Sequence, residues 1–141
     1  MNKEIYQAVK KVLESGKYIL GEEGKKLEKE VAQFLGVKYA VGVSSGTSAL
    51  VLALRALGVG KGDSVITTPF TFIATAGAIV EVGATPVFVD IGEDKNINAD
   101  FIETVILKNT KAILPVHLFG KSCDMGEITK IARKHKLFVV E

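Results

Sequence analysis

The chain has 141 residues, of which 48% are hydrophobic and 24% charged, which is the balance of a single globular domain. Its formal net charge of +2 is too small to indicate binding to nucleic acid or to an anionic membrane surface. Cys123 is the single cysteine of the sequence, which excludes an internal disulfide bond and a multi-cysteine metal site, so we predict no bound metal.

The first residues, MNKEIYQAVKKVLESG, contain no apolar stretch of signal-peptide length. No segment reaches the roughly 18 continuous apolar residues that a membrane helix needs. A lone cysteine also fits a reducing compartment. We therefore expect a cytoplasmic protein that has no membrane partner.

Apolar spacing predicts two amphipathic helices at the start of the chain, over residues 3–15 and 22–35, which Gly16 and Gly36 terminate. Strand-like segments follow at 39–43, 64–68, 85–90, 111–116 and 136–140. Helical segments lie between them at 46–58, 71–82, 98–108 and 124–135. Alternation of nearly continuous apolar strands with helices predicts an α/β fold, with a mainly parallel sheet and helices on both of its faces.

The predicted helices at 46–58 and 71–82 differ from the others because they are apolar almost all round. A helix of this kind must be buried on more than one side. Either a larger domain or a partner chain covers the second side, and the sequence pattern fits both.

The loop SGTS, residues 45–48, joins a predicted strand to a predicted helix. Ligands of open α/β sheets bind beyond the carboxyl ends of the strands, which is where this loop is expected. Gly46 allows the backbone to approach an anion closely, and the N–H groups of Thr47 and Ser48 would face outward at the start of the helix. The pattern indicates a phosphate site, but it fits equally a plain N-cap at Ser45 or Thr47.

Two further strand ends carry side chains that could contact a ligand. Phe70 and Phe72 follow the strand at 64–68 and fit either stacking on a planar ligand or packing in the core. His117 follows the strand at 111–116, where it fits a ligand contact, an acid or base, or a hydrogen-bonded structural residue. Asp90 is expected to support the turn after its own strand.

Residues 42–46, GVSSG, also spell G-x-S-x-G, the nucleophile elbow of serine hydrolases. That hypothesis requires Ser44 at the tip of a tight, strained turn with small residues on either side, whereas Val43 and Ser45 flank it here. The chain is also short for that fold, and no glycine-rich segment offers a second oxyanion donor. We therefore favour the phosphate site over the hydrolase site.

Two long segments, taken in order, resemble the N-terminal part of the DegT/StrS family. They are VSSGTSALVLALRALGVGKGDSVITTPFTFIATAGAIVEVGATPVFVDI and the later TKAILPVHLFGKSCDMGEITKIARKHKLFVVE. The resemblance runs from about residue 21 to residue 141. Members of that family are fold-type-I, aspartate-aminotransferase-like enzymes that depend on pyridoxal 5'-phosphate (PLP). Most of them transfer an amino group from an amino acid such as glutamate to a keto nucleotide sugar, for polysaccharide or glycoconjugate biosynthesis.

The resemblance implies roles for five residues of this chain. Gly46, Thr47 and Ser48 match the loop that holds the PLP phosphate, Phe72 matches the aromatic residue that stacks on the pyridine ring, and His117 matches a histidine of the active-site region. The family forms homodimers with active sites at the subunit interface, which would account for the two apolar helices.

The resemblance also implies a division of the chain and a missing part of the site. Residues 1–20 correspond to an N-terminal helix and arm, and residues 21–141 to the front part of the large PLP-binding domain. The aspartate that pairs with the pyridine nitrogen and the Schiff-base lysine are both expected beyond Glu141, so no catalytic residue is assigned within the chain. We therefore expect little catalysis from the 141 residues alone, and the alternative is a truncated, non-catalytic family member that acts as a binding or regulatory protein.

Overall fold

The computed structural model describes residues 2–141, which divide into two compact units between Val43 and Ser44. The first unit contains two helices, α1 (Lys3–Ser15) and α2 (Glu22–Leu35). The Asn2 side chain accepts the Glu4 N–H and caps α1, whereas the helices end at Gly16 and Gly36, both with φ of 65°. Glycine adopts this left-handed conformation without a side-chain clash, so the predicted ends of both helices are confirmed.

The strand predicted at 39–43 is wrong. None of these residues belongs to a strand of the described part of the chain, and Tyr39 and Val41 are 73% and 77% exposed. One contact secures the segment within its unit: the Gly42 N–H donates to Oε1 of Glu28 at 2.7 Å. An apolar pattern indicates that a segment can be covered, but a strand exists only where a second strand takes up its hydrogen bonds.

The second unit is built on a four-stranded sheet of β1 (Ser64–Thr67), β2 (Thr85–Phe88), β3 (Thr110–Ile113) and β4 (Phe138–Val139). The strands lie in the order β2-β1-β3-β4, and every neighbouring pair is parallel. Helices α3 (Gly46–Ala56), α4 (Ala74–Glu81), α5 (Ala99–Ile102) and α6 (Met125–His135) complete the unit. The predicted α/β fold with a parallel sheet is thereby confirmed.

The central strands β1 and β3 are buried on both faces, and successive side chains point to opposite sides. Val65 of β1 packs in a cluster with Leu54 of α3 and Ile79 of α4. Its neighbour Ile66 packs in a second cluster with Ile128 of α6. Helices therefore cover both faces of the sheet, as the apolar strands predicted.

Three other predicted helices are found close to their predicted bounds, but the helix at 98–108 is much shorter than predicted. It comprises α5 and one 3₁₀ turn, Glu103–Val105, after which Ile106 is extended with ψ of 122°. The Leu107 N–H is then taken by the Thr110 hydroxyl, 2.9 Å away, at the start of β3. This side-chain bond replaces the next turn of helix and directs the chain into the sheet.

β2 forms one edge of the sheet and contains Pro86. The N–H groups of Thr85 and Val89 point at β1, where they donate to Asp63 and Thr67 at 2.9 and 2.8 Å. Backbone groups alternate in direction along a strand, so position 86 faces away from β1. The missing N–H of the proline therefore costs the sheet no hydrogen bond, which is why proline is tolerated at this edge.

Candidate functional site

The strand order identifies the edge at which a ligand is expected to bind. The chain passes from β1 to β2 through α4 on one face, and from β2 to β3 through α5 on the other face. The direction of winding therefore reverses between β1 and β3, and such switch points open a crevice at the carboxyl ends of the strands. Thr67 and Leu114 lie at these two ends and are joined by a 2.8 Å bond from the threonine hydroxyl to the leucine carbonyl.

The N-terminus of α3 is shaped by three serines. Ser45 is extended and its Oγ accepts the Ser48 N–H at 3.1 Å, which makes it the N-cap of the helix. The Ser48 hydroxyl in turn bonds to the hydroxyls of Ser44 and Ser45, at 2.9 and 3.1 Å. Three hydroxyls share these two oxygen–oxygen bonds, so one O–H remains to donate to an outside acceptor.

Gly46 and Thr47 provide the free donors of this helix end. Within residues 44–141, the structure shows no acceptor for either backbone N–H or for the Thr47 hydroxyl. Both residues are exposed. Unpaired N–H groups at the positive end of a helix dipole, beside free hydroxyls, are the donor set that a phosphate group prefers.

Within residues 44–141, neither the backbone conformation nor the packing requires glycine at position 46. Its φ is not among the positive values, and a Cβ built on it would meet no atom within 4 Å. Because Cα–Cβ bonds of a helix tilt toward its N-terminus, a side chain at this position would lean toward the end at which the free N–H groups lie. The open approach fits the PLP phosphate predicted there, while the N-cap alternative is also realised, because Ser45 caps the helix beside it.

The two phenylalanines after β1 lie outside the core. Phe70 is 47% exposed and Phe72 is 74% exposed. The Phe72 carbonyl accepts the Thr75 N–H at 3.1 Å, so Phe72 lies directly before the first turn of α4, and α4 packs against α3. An aromatic ring left exposed at a strand end is available to stack on a planar ligand.

His117 lies beyond β3 and has both ring nitrogens engaged. Nδ1 accepts the Cys123 N–H at 3.1 Å, and Nε2 lies 2.9 Å from a carboxylate oxygen of Glu141. A backbone N–H can only donate, so Nδ1 carries no proton and the proton of the ring is on Nε2. His117 therefore presents an N–H at the carboxyl end of the sheet, partnered in this structure by Glu141.

The serine-hydrolase hypothesis finds no support in this geometry. The Ser44 hydroxyl bonds to Ser48, and among residues 44–141 no histidine lies within hydrogen-bond distance of it. His135 is bound to Glu103 at 2.7 Å on a different part of the unit. A nucleophilic serine requires a base within reach, and Ser44 has none there.

The predicted positions thus lie on three segments of the second unit: the start of α3, the turn before α4 and the loop after β3. No hydrogen bond joins the three segments directly within residues 44–141. Asp90 supports its own turn as predicted, since its carboxylate accepts the Ile91 N–H at 2.7 Å. Sequence reasoning missed Asn96, which is fully buried and holds the loop after His117 through contacts more than 20 residues away.

Three other properties of the described residues complete the description. Burial raises the pKa of the Cys123 thiol, and its Sγ donates to the Val116 carbonyl, so the thiol is neutral and bonded. From residue 2 onward no group of three or more histidine, cysteine, aspartate or glutamate side chains is placed to hold a metal ion. No helix of the described chain has the length and apolar character required to cross a membrane.

Known proteins with similar sequences include sugar aminotransferases and a polysaccharide biosynthesis protein. The spore coat polysaccharide biosynthesis protein SpsC of Bacillus subtilis is 49% identical over 142 residues, which covers 100% of this chain and 36% of SpsC. UDP-N-acetyl-3-dehydro-alpha-D-glucosamine 3-aminotransferase of Acidithiobacillus ferrooxidans is 51% identical, over 98% of this chain and 38% of that protein. The chain therefore spans a little over a third of the length of these curated relatives.

Solved structures show the same fold. DesV of S. venezuelae superposes with a TM-score of 0.95 at 44% identity, over 98% of this chain and 38% of DesV. NtdA of Bacillus subtilis, whose structure contains the cofactor PMP, gives a TM-score of 0.93 at 40% identity, over 96% of this chain and 31% of NtdA. These identities and TM-scores confirm that the fold is that of the N-terminal part of fold-type-I aminotransferases.

The family model of the DegT/DnrJ/EryC1/StrS aminotransferases matches residues 1–141, the whole of the chain. Aminotransferases of this family depend on PLP, and PMP is the aminated form of that cofactor. The order of motifs, the parallel sheet and the relatives agree, and this chain belongs to the DegT/DnrJ/EryC1/StrS aminotransferase family.

Proposed function

We propose that this chain is the N-terminal portion of a PLP-dependent aminotransferase that transfers an amino group from an amino acid such as glutamate to a keto nucleotide sugar. The product would serve polysaccharide or glycoconjugate biosynthesis. The observation that carries the proposal is the N-terminus of α3, which offers free N–H groups and hydroxyls in a chain of this family.

Each proposed cofactor residue has a separate task. The N–H groups of Gly46 and Thr47 and the hydroxyls of Thr47 and Ser48 hold the cofactor phosphate through charge-assisted hydrogen bonds. Phe72 stacks on the pyridine ring, which fixes its plane. His117 lies at the same edge of the sheet, where Glu141 partners its Nε2, and belongs to the part of the site next to the cofactor.

The bound cofactor supplies an electron sink, through which an amino group can leave an amino acid and reach a keto carbon. The contribution of this chain is to bind and orient. A phosphate held at the end of a rigid helix fixes one end of the cofactor, and a stacked ring fixes its plane. The two constraints together hold the reacting end of the cofactor in one position.

We also propose that the protein is a homodimer located in the cytoplasm. Support for the dimer comes from apolar side chains on the outer sides of α3 and α4 and just before α4, since Leu52, Ile73 and Val80 are 50%, 75% and 60% exposed. Support for the cytoplasm comes from Cys123, a free thiol. The proposed division into an arm at 1–20 and the front part of the PLP-binding domain at 21–141 belongs to the same proposal.

Thr47→Val in the full-length gene product tests the phosphate site. Valine keeps the shape of threonine but removes the hydroxyl, and losing one charge-assisted bond costs about 1.5–3 kcal/mol. We expect the Kd for PLP to rise about ten- to a hundredfold. Thr104→Val is the matched control, because Thr104 is exposed and its hydroxyl bonds only to the nearby Phe101 carbonyl. Equal affinity of the Thr47 variant and the wild type would refute the phosphate assignment.

Activity distinguishes the proposal from its alternative, a non-catalytic family member that binds or regulates. The full-length gene product is incubated with PLP, glutamate and a UDP- or dTDP-linked 3-keto or 4-keto sugar, and 2-oxoglutarate and the amino sugar are measured. Formation of both products in equal amounts supports the aminotransferase. Binding of PLP with no amino transfer to any of these sugars would favour the alternative.

A further inference from the structure

Asn96 lies in the turn after β2 and is 1% exposed, although asparagine is seldom buried. Its amide nitrogen donates to the carbonyls of Lys121 and Ser122, at 3.1 and 3.2 Å, and to the Asp94 carboxylate at 3.3 Å. Its amide oxygen accepts the Leu118 N–H at 3.1 Å. One side chain thus bonds to both ends of the loop that follows His117.

The loop that Asn96 holds is tight and strained. Gly120 N–H donates to the His117 carbonyl at 3.2 Å, and Lys121 N–H donates to the Leu118 carbonyl at 3.1 Å. Phe119, between them, has φ of 55° and ψ of 24° and is 88% exposed. A left-handed phenylalanine with no burial costs free energy, so bonds from outside the loop must maintain it, and Asn96 supplies them on both sides.

The end of this loop determines which ring nitrogen of His117 carries the proton. Cys123 follows Ser122 directly, and its N–H is the donor that binds Nδ1 of His117. Moving the carbonyls of Lys121 and Ser122 would move that N–H away from the ring. With Nδ1 free, the Glu141 carboxylate alone would favour the proton on Nε2, and the neutral imidazole would exchange more readily between its two tautomers.

We propose that Asn96 is a positioning residue of the candidate site, which holds the loop from His117 to Cys123 in the one conformation that keeps the His117 proton on Nε2. The inference rests on the proposed function in one respect only, the assignment of His117 to the cofactor site. Asn96 contacts the loop and not the ring, so it acts on the site through Cys123.

The test is a long-range ¹H–¹⁵N spectrum of the histidine side chains in the 141-residue chain near neutral pH. Wild-type His117 should show one unprotonated, pyridine-type nitrogen and one protonated, pyrrole-type nitrogen. In Asn96→Ala both shifts should move toward each other, and the Cys123 N–H should exchange with solvent faster, on the order of tenfold. His135 lies on another part of the unit, and its signals serve as the internal reference.

Asn98→Ala is the matched control. Asn98 is a neighbouring asparagine that caps α5 by accepting the Asp100 N–H at 3.1 Å, and it makes no bond to the loop. Its removal should lower stability but leave the His117 signals unchanged. Where Asn96→Ala does not fold, Asn96→Leu replaces it, because leucine fills nearly the same space and removes the bonds to the loop without burying a charge.

Three results would overturn the inference: wild-type His117 with its proton on Nδ1, unchanged His117 signals in a folded Asn96 variant, or an equal shift in Asn98→Ala. The first of these needs no variant and so decides the matter even where none folds. PLP binding by the full-length gene product is measured separately. A protein with the expected spectra that binds no PLP supports the role of Asn96 and refutes the proposed function.

Discussion

Replacing Gly46 with alanine should change stability and cofactor affinity in opposite directions. The position has an ordinary φ, and the added Cβ meets no atom within 4 Å, so the fold accommodates the methyl group. Alanine restricts the unfolded chain more than glycine does, which raises the free energy of unfolding by about 0.4–1 kcal/mol. The cap at Ser45 and its bond to Ser48 remain in place.

The same methyl group stands where the phosphate is expected to approach. In a helix both the Cα–Cβ bonds and the N–H groups are directed toward the N-terminus, so the methyl group pushes a phosphate away from the free N–H groups of Gly46 and Thr47. The phosphate then loses at least one charge-assisted bond. Such a bond contributes about 1.5–3 kcal/mol, so the Kd for PLP should rise about ten- to a hundredfold. A substitution that only damaged the fold would instead lower both the free energy of unfolding and the affinity for PLP.

Urea unfolding measures the free energy of unfolding, and calorimetric titration of the full-length gene product with PLP measures the Kd. Gly24→Ala is the control, because Gly24 also lies in the first turn of an exposed helix, α2, with open space at its Cβ. It should gain stability without a change in affinity. Unchanged PLP binding by Gly46→Ala would refute the anion site at α3, and a loss of stability would refute the claim that the fold does not need this glycine.

Three further predictions concern the surface and the titratable groups. Val80→Glu, on the exposed side of α4, should shift the full-length gene product from dimer to monomer in light scattering; a wild type that is already a monomer would contradict the proposed dimer. Hydrogen bonds from Lys134, and then from His135, lower the pKa of Glu103, so Glu103 stabilises the fold above its usual pKa and loses this effect as the pH falls. Glu103→Gln should therefore flatten the acid side of the stability profile, and an unaltered profile would disprove the coupling. Burial raises the pKa of Cys123, so iodoacetamide should label the thiol far more slowly in the native than in the urea-unfolded chain, and equal rates would show that it is accessible.

Local chemistry explains which parts of the fold could be predicted from the sequence. Gly16 and Gly36 end their helices as predicted, and Asp124 begins α6 as a local cap, since its carboxylate accepts the Glu127 N–H at 3.0 Å. Signals of this kind act within a few residues, so a single sequence contains them completely. The segment 39–43 contains no such local signal, because whether it forms a strand depends on a partner strand elsewhere in the chain.

In the candidate site, too, residues in a local sequence pattern could be predicted, whereas a residue that acts through long-range contacts could not. Gly46 and Thr47 could be recognised because a glycine and small hydroxyl residues at a helix start are a local pattern. Asn96 could not, because its bonds span 22 to 26 residues and no feature of the surrounding EDKNIN sequence announces them. Long-range hydrogen bonds of a buried side chain follow from the topology, which only the folded chain reveals.

Pro86 in β2 determines at which edge of the sheet a further strand can pair. Of the two backbone positions in Thr85–Phe88 that face away from β1, 86 and 88, the first has no N–H to offer. A strand arriving on that side would find half of its expected donors missing, whereas the outer side of β4 contains no proline. Any strand that joins this sheet, from more of the same polypeptide or from another molecule, is therefore steered to β4, and the β2 side resists the edge-to-edge contacts through which open sheets aggregate.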